Sequence, residues 1–166
     1  MRGDADGCLE FVEKARPDQI EAVADPAGMT LLHWACRQHA VKLVFAILGK
    51  CPTLCDRPTK AGRNPPNWTP LMVLADQPVA TQSRQGPDWQ EDISKCRQIA
   101  AALVNHMTQT GLMTRGGTYS TVLHLAASRA NTQLIKKVLF RMNDLGGKPA
   151  VHALLEVENA TVSCLP

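Results

Sequence analysis

Thr30-Leu31-Leu32-His33-Trp34-Ala35-Cys36 is matched without gaps by Thr69-Pro70-Leu71-Met72-Val73-Leu74-Ala75 and again by Thr121-Val122-Leu123-His124-Leu125-Ala126-Ala127. Each holds small or apolar residues at i, i+3 and i+4: Leu32/Ala35/Cys36, Leu71/Leu74/Ala75 and Leu123/Ala126/Ala127. That spacing is one stripe of a short helix. The threonine stands two residues before the stripe, in the N-cap position, where its hydroxyl accepts a bond from a first-turn amide that has no partner within the helix. Pro70 follows at N1, where a missing amide hydrogen costs nothing.

Working outward, each short helix is followed by a second stripe at i, i+1, i+4 and i+5: Leu43/Val44/Ile47/Leu48, Ile99/Ala100/Leu103/Val104 and Leu134/Ile135/Val138/Leu139. The caps are 39 and 52 residues apart, and in the first and third segments the second stripe starts 13 residues after the cap. The middle segment takes 30, which leaves an insertion of 17 residues within Asp76 to Ile93. That stretch is polar, rich in helix breakers and contains Trp89, and it is read as a loop. A repeat of this length means stacked supersecondary units that bury their stripes against one another.

Composition agrees with helices. Of 166 residues 45% are hydrophobic but only 4% aromatic, so the core is drawn from Leu, Val, Ile, Ala, Cys and Met. This disfavours a β-sandwich, and the length suits one domain, 1–166. The formal net charge of +3 comes without any dense Lys/Arg block, so nucleic acid is not implied. The longest apolar runs, Leu43 to Leu48 and Ile99 to Val104, are six residues each, against the ~18 to 20 that span a bilayer, so no membrane insertion is expected. Met1 to Gly7 lacks the basic start and apolar stretch of a secretory signal, which predicts an intracellular, cytoplasmic protein with mostly reduced cysteines.

The three Thr-led motifs resemble the ankyrin repeat, whose signature is T-P-L-H-x-A at a period near ~33 residues. The first and third segments depart only at the proline, while the second keeps Pro70 but has Met72 and Leu74 in place of His and Ala. Asp25-Pro26-Ala27-Gly28 resembles the family's D-x-x-G hairpin tip, whereas the Gly-His pair that opens the second helix is replaced by His39-Ala40 and Ala130-Asn131. Phe11 to Ile20 parallels Ile47 to Leu54 as the end of an earlier second helix, and Asn159 to Val162 begins another Thr-led unit. The organisation implied is a partial repeat 1–24, repeats 25–63, 64–115 with insertion 76–93, and 116–157, and a partial repeat 158–166. The fold implied is mainly α, an ankyrin-type α-solenoid of stacked helix pairs with connecting hairpin loops.

The resemblance implies a non-catalytic module that binds a protein partner on a concave face. The positions matching that face are Met29, Arg37 and Gln38; Trp68, Asp76 and Gln77; and Tyr119, Ser128 and Arg129. Trp, Tyr and Arg are the types that most often dominate interface energies. The alternative is a regulatory ankyrin segment of a larger enzyme or channel whose working domain lies outside this chain. Apolar stripes left uncovered at either end of the stack predict self-association.

Catalytic and metal chemistry find little support. His33 and His124, three residues after a capping threonine, are placed to tie the helix start to the neighbouring hairpin rather than to act as bases. Cys51 and Cys55 have a zinc-like spacing but no second pair, so no metal or other cofactor is expected. The Gly49-Lys50 and Gly147-Lys148 pairs lack the rest of a phosphate loop. Asn67-Trp68-Thr69 and Asn159-Ala160-Thr161 match the glycosylation pattern, but both threonines are read as helix caps.

Overall fold

A computed structural model describes residues 5–61, 66–77, 87–117 and 119–157, which are mainly helical. The three Thr-led motifs form short helices, α3 (Leu31–Arg37), α5 (Pro70–Ala75) and α8 (Val122–Ser128). The second stripes lie on α4 (Val41–Lys50), α6 (Pro87–His106) and α9 (Thr132–Leu155). An N-terminal helix, α1 (Ala5–Lys14), packs on α4 as an earlier second helix would.

The helices form two rows. The inner row has α5 in contact with α3 on one side and α8 on the other, and the outer row runs α1, α4, α6, α9, each touching the next. The buried stripes meet between the rows: Leu32, Ala35, Cys36, Leu71 and Ala126 from the first, and Val44, Ile47, Ile99, Leu103, Val138 and Met142 from the second. Because α5 is covered on both sides, all six of its residues are buried.

The turns between paired helices explain how the missing Gly-His pair is tolerated. After α3, His39 takes φ 53° and the Ala40 amide donates to the Ala35 carbonyl at 3.0 Å. After α8, Ala130 takes φ 52° and the Asn131 amide donates to the Ala126 carbonyl at 2.8 Å. Both are left-handed closures of a helix C-terminus, built here without glycine. The bond pattern satisfies the last carbonyls, and its gain covers the strain of a side chain at positive φ.

Outer helices end on a short helical turn: α2 (Pro17–Ala22) after α1, a 3-10 turn (Pro52–Cys55) after α4, and α7 (Gln109–Leu112) after α6. Lys50, in the last turn of α4, donates from Nζ to the carbonyls of Glu13 and Ala15 at 2.8 and 2.9 Å, so a cation from α4 closes the end of α1. α9 contains its own version of the turn. Gly147 breaks the helix with φ 65° and ψ −163°, and Pro149 sits just inside the resumed segment.

One expectation needs correction. The insertion is not a loop throughout, because α6 begins at Pro87 and residues 87–93 are helical. Proline is well suited to the first turn of a helix, and this end of α6 is polar, so no apolar stripe announces it. The Asn159 to Val162 reading lies outside the described residues.

The hairpins between units are bonded to one another through the backbone. Ala24 and Thr30 form an antiparallel bridge, and Gly28 closes the tip with φ 81° and its amide on the Asp25 carbonyl at 2.8 Å. The Lys60 amide donates to the Ala27 carbonyl at 2.9 Å, and the Gly117 amide to the Pro66 carbonyl at 3.0 Å.

Candidate functional site

The His-bearing caps set the inner row in place. His33 is fully buried, its Nε2 lies 2.9 Å from the Trp68 carbonyl, and its Nδ1 lies 3.0 Å from the Thr30 amide and 2.8 Å from the Thr30 hydroxyl. A carbonyl only accepts, so Nε2 carries the proton and Nδ1 accepts from Thr30. Burial lowers the His33 pKa to about 4, so the imidazole is neutral near pH 7. The Trp68 carbonyl also accepts from the Thr59 amide at 2.9 Å, which joins α3, the second hairpin and the start of α5. His124 repeats the local half of this arrangement, with Nδ1 3.1 Å from the Thr121 amide and 2.9 Å from its hydroxyl. In the middle segment Thr69 caps α5 directly, accepting from the Met72 amide at 3.4 Å.

The residues expected on the face divide into three groups. Met29 is only 3% exposed and packs in the core, so its side chain presents no surface to a partner, contrary to expectation. The hairpin turn accounts for this: Asp25 Oδ1 accepts from the Met29 amide at 3.0 Å and holds the residue under the tip. Trp68 is half-buried, and its indole lies so close to Gly116 that a Cβ there would meet Nε1 at 2.7 Å. Its role is largely to seat one hairpin on the next.

The second group meets solvent on the inner row. Arg37 is exposed and stacks over Trp34 with its guanidinium carbon 5.4 Å from the ring, a cation–π pair. Asp76 caps α5 at its C-terminus and accepts from Arg129 Nη2, the cap residue of α8, at 2.9 Å. Gln38 caps α3 and is exposed beside them in sequence order. The third group is peripheral: Tyr119 is exposed at φ 57° in the hairpin ahead of α8, Ser128 donates to the Leu125 carbonyl at 2.8 Å, and Gln77 donates to the Val73 carbonyl at 3.5 Å.

Trp34 was missed by sequence reading. It occupies the variable position of the motif, where the other segments have Val73, buried, and Leu125, half-buried. Its place opposite the Leu32/Ala35/Cys36 stripe is the signal that finds it.

The cysteines have structural surroundings. Cys51 donates from Sγ to the Pro17 carbonyl at 3.5 Å, and burial raises the Cys55 thiol to about 12. Cys96 Sγ lies 3.2 Å from His39 Nε2; burial pushes the thiol up to about 11 and lowers the imidazole, so the two form a neutral hydrogen bond with the thiol donating. An activated thiolate has the opposite shift.

No family model matches the chain, and no solved structure matches it. Among curated proteins it is similar to the Ankyrin repeat-containing protein C6C3.08 of Schizosaccharomyces pombe (strain 972 / ATCC 24843), at 29% identity over 148 residues. The match takes in 83% of this chain and 53% of the relative, so the chain spans about half the length of the curated relative it matches. The mainly helical architecture is compatible with an ankyrin-like repeat fold.

Proposed function

We propose that the chain is a non-catalytic ankyrin-repeat module that binds a protein partner on the face of α3, α5 and α8. In this reading the two helix rows are an ankyrin-type α-solenoid, with repeats at 25–63, 64–115 and 116–157 flanked by partial units. The observation that carries it is the His33 bridge: one motif caps its own helix through Nδ1 and reaches the next unit through Nε2, as a stacking repeat requires. The similarity to a protein named for ankyrin repeats supports the same reading.

On that face Trp34, Arg37, Gln38, Asp76 and Arg129 line up across three adjacent helices, and Tyr119 extends the line at the hairpin edge. An indole stacked by a guanidinium is a preformed anchor, since neither group has to be ordered on binding. No described helix is long and apolar enough to cross a membrane, and the five cysteines among the described residues are free thiols.

Affinity capture followed by mass spectrometry, with wild type beside a Trp34→Ala/Arg129→Ala variant, tests the proposal. The partner should be lost from the variant while its melting temperature stays within a few degrees of wild type. Equal capture by both proteins would move the working surface elsewhere. A second reading, a regulatory ankyrin segment of a larger enzyme or channel, is favoured by the chain spanning half of its relative. Sequencing the complete reading frame separates the two.

A further inference from the structure

All three phenylalanines of the chain are on the outer row and all are exposed: Phe11 on α1 by 42%, Phe45 on α4 by 52% and Phe140 on α9 by 70%. Phenylalanine is among the residues most often buried, and here none is in a core that Leu, Ile, Val and Met fill. Three of the four outer helices, α1, α4 and α9, therefore carry exposed apolar surface, on the side away from the face proposed above.

Charge along the same row is polarised. From residue 5 to 22, five acids (Asp6, Glu10, Glu13, Asp18, Glu21) stand against Lys14 and Arg16. On α9 four bases (Lys136, Lys137, Arg141, Lys148) stand against Asp144. Asp6, Glu10 and Glu13 follow i, i+4, i+7, so they share one edge of α1, where Glu10 holds an exposed pair with Lys14 and Phe11 lines the same surface as both. Lys136, Lys137, Phe140 and Arg141 line a groove with Ala101 and Val104 of α6. Arg141 Nη2 donates to the Met107 carbonyl at 3.4 Å, and its Nε is buried without a partner in the chain.

We propose that the outer row is a self-complementary interface, occupied by a second copy of this chain related by a two-fold axis. The α1 end of the row is acidic and the α9 end basic, so turning one copy end for end sets α1 of each against the α6–α9 groove of the other. α4 then faces α6 near the axis, where Phe45 meets the small Ala101 side. Two-fold symmetry makes both contacts at once and closes the assembly at two copies. The acidic edge of α1 neutralises the cations of the groove, and Phe11 and Phe140 leave water together. This interface is independent of the inner-face reading, and both surfaces stay available in the same particle.

Sedimentation velocity over a concentration series, in about 50 mM and about 500 mM salt, reads the proposal. Wild type should approach twice the monomer mass at low salt, and its dissociation constant should rise at least about tenfold at high salt. A Lys136→Glu/Lys137→Glu variant and a Glu10→Lys/Glu13→Lys variant should each be monomeric, with circular dichroism confirming that both remain helical. Mixed one to one, the two variants should recover the dimer, because in the mixed pair native α1 faces native α9 and reversed α1 faces reversed α9, each of opposite sign. A monomeric wild type, a mass that climbs past two copies, or folded variants that fail to restore each other on mixing would each overturn it. Trp34→Ala/Arg129→Ala should dimerise like wild type, which keeps this test separate from that of the inner face.

Discussion

The first and middle motifs solve one capping problem in two ways. In the first, Thr30 hands its amide to a buried imidazole, which then reaches 35 residues along the chain to the Trp68 carbonyl. In the middle, Thr69 caps α5 through its own hydroxyl, and Met72 fills the histidine's place with a side chain that bonds to nothing and is 1% exposed. The difference teaches where each unit draws its stability. An imidazole in the core is acceptable only when both nitrogens are satisfied, so the first unit depends on the second being in place. A methionine needs only contact, and α5, covered by α3 and α8, supplies that on both sides.

The sharpest way to break the comparison is to empty the middle position. Met72→Ala leaves a cavity between two helices and should cost about 3 to 4 kcal/mol in urea unfolding, more than any single change at the surface. A loss below about 1 kcal/mol would show that α5 is not packed as described.

Acid acts on the first unit instead. The His33 pKa is held at about 4 against 6.5 in an unfolded chain, so between those values the unfolded chain takes up a proton that the folded chain refuses. Stability is therefore intact above about pH 6.5 and falls as the pH is lowered towards 4, by at most about 3 kcal/mol. A His33→Leu variant, less stable at neutral pH because the Thr30 amide and hydroxyl lose their acceptor, should show a flatter slope across that window. An unchanged slope would assign the acid sensitivity to another group, such as half-buried His39, whose pKa is also lowered by burial.

Smaller effects sharpen the contrast between caps and turns. Thr69→Ala should cost about 1 kcal/mol, the usual worth of an N-cap, and the loss should be independent of pH between 4 and 7 because no imidazole is attached to it. At the far turn Ala130→Gly should stabilise by about 0.5 to 1 kcal/mol, since glycine adopts the φ of 52° without strain. Differential scanning calorimetry on both variants checks the two signs.

The helices of this chain were legible because their burial is one-sided: Leu32/Ala35/Cys36 and Leu134/Ile135/Val138/Leu139 face the gap between rows, and a period near 3.6 records it. The caps were legible because threonine has a mechanism at that position. What escaped had no periodic trace. The first turns of α6 are polar, so Pro87 to Ile93 reads as loop. The closures at His39 and Ala130 are backbone bonds to the Ala35 and Ala126 carbonyls, and nothing in either residue type announces a positive φ. Among the residues expected on the face, exposure of Arg37 and Arg129 followed from their places at helix ends, but Met29 was drawn inward by the local Asp25 turn and Trp68 by the small Gly116, a contact between segments. The outward phenylalanines ran against the ordinary habit of that residue.

The backbone bonds that join successive hairpins have a further use. The Lys60 and Gly117 amides lie in connecting segments, where hydrogen ordinarily exchanges with solvent within moments, yet each is held by a carbonyl of the preceding hairpin. Neither proton can be replaced by deuterium until its junction opens, so each amide is a built-in gauge of one junction: Lys60 for the first and second hairpins, Gly117 for the second and third. Comparing their exchange rates tells at which joint the stack comes apart first.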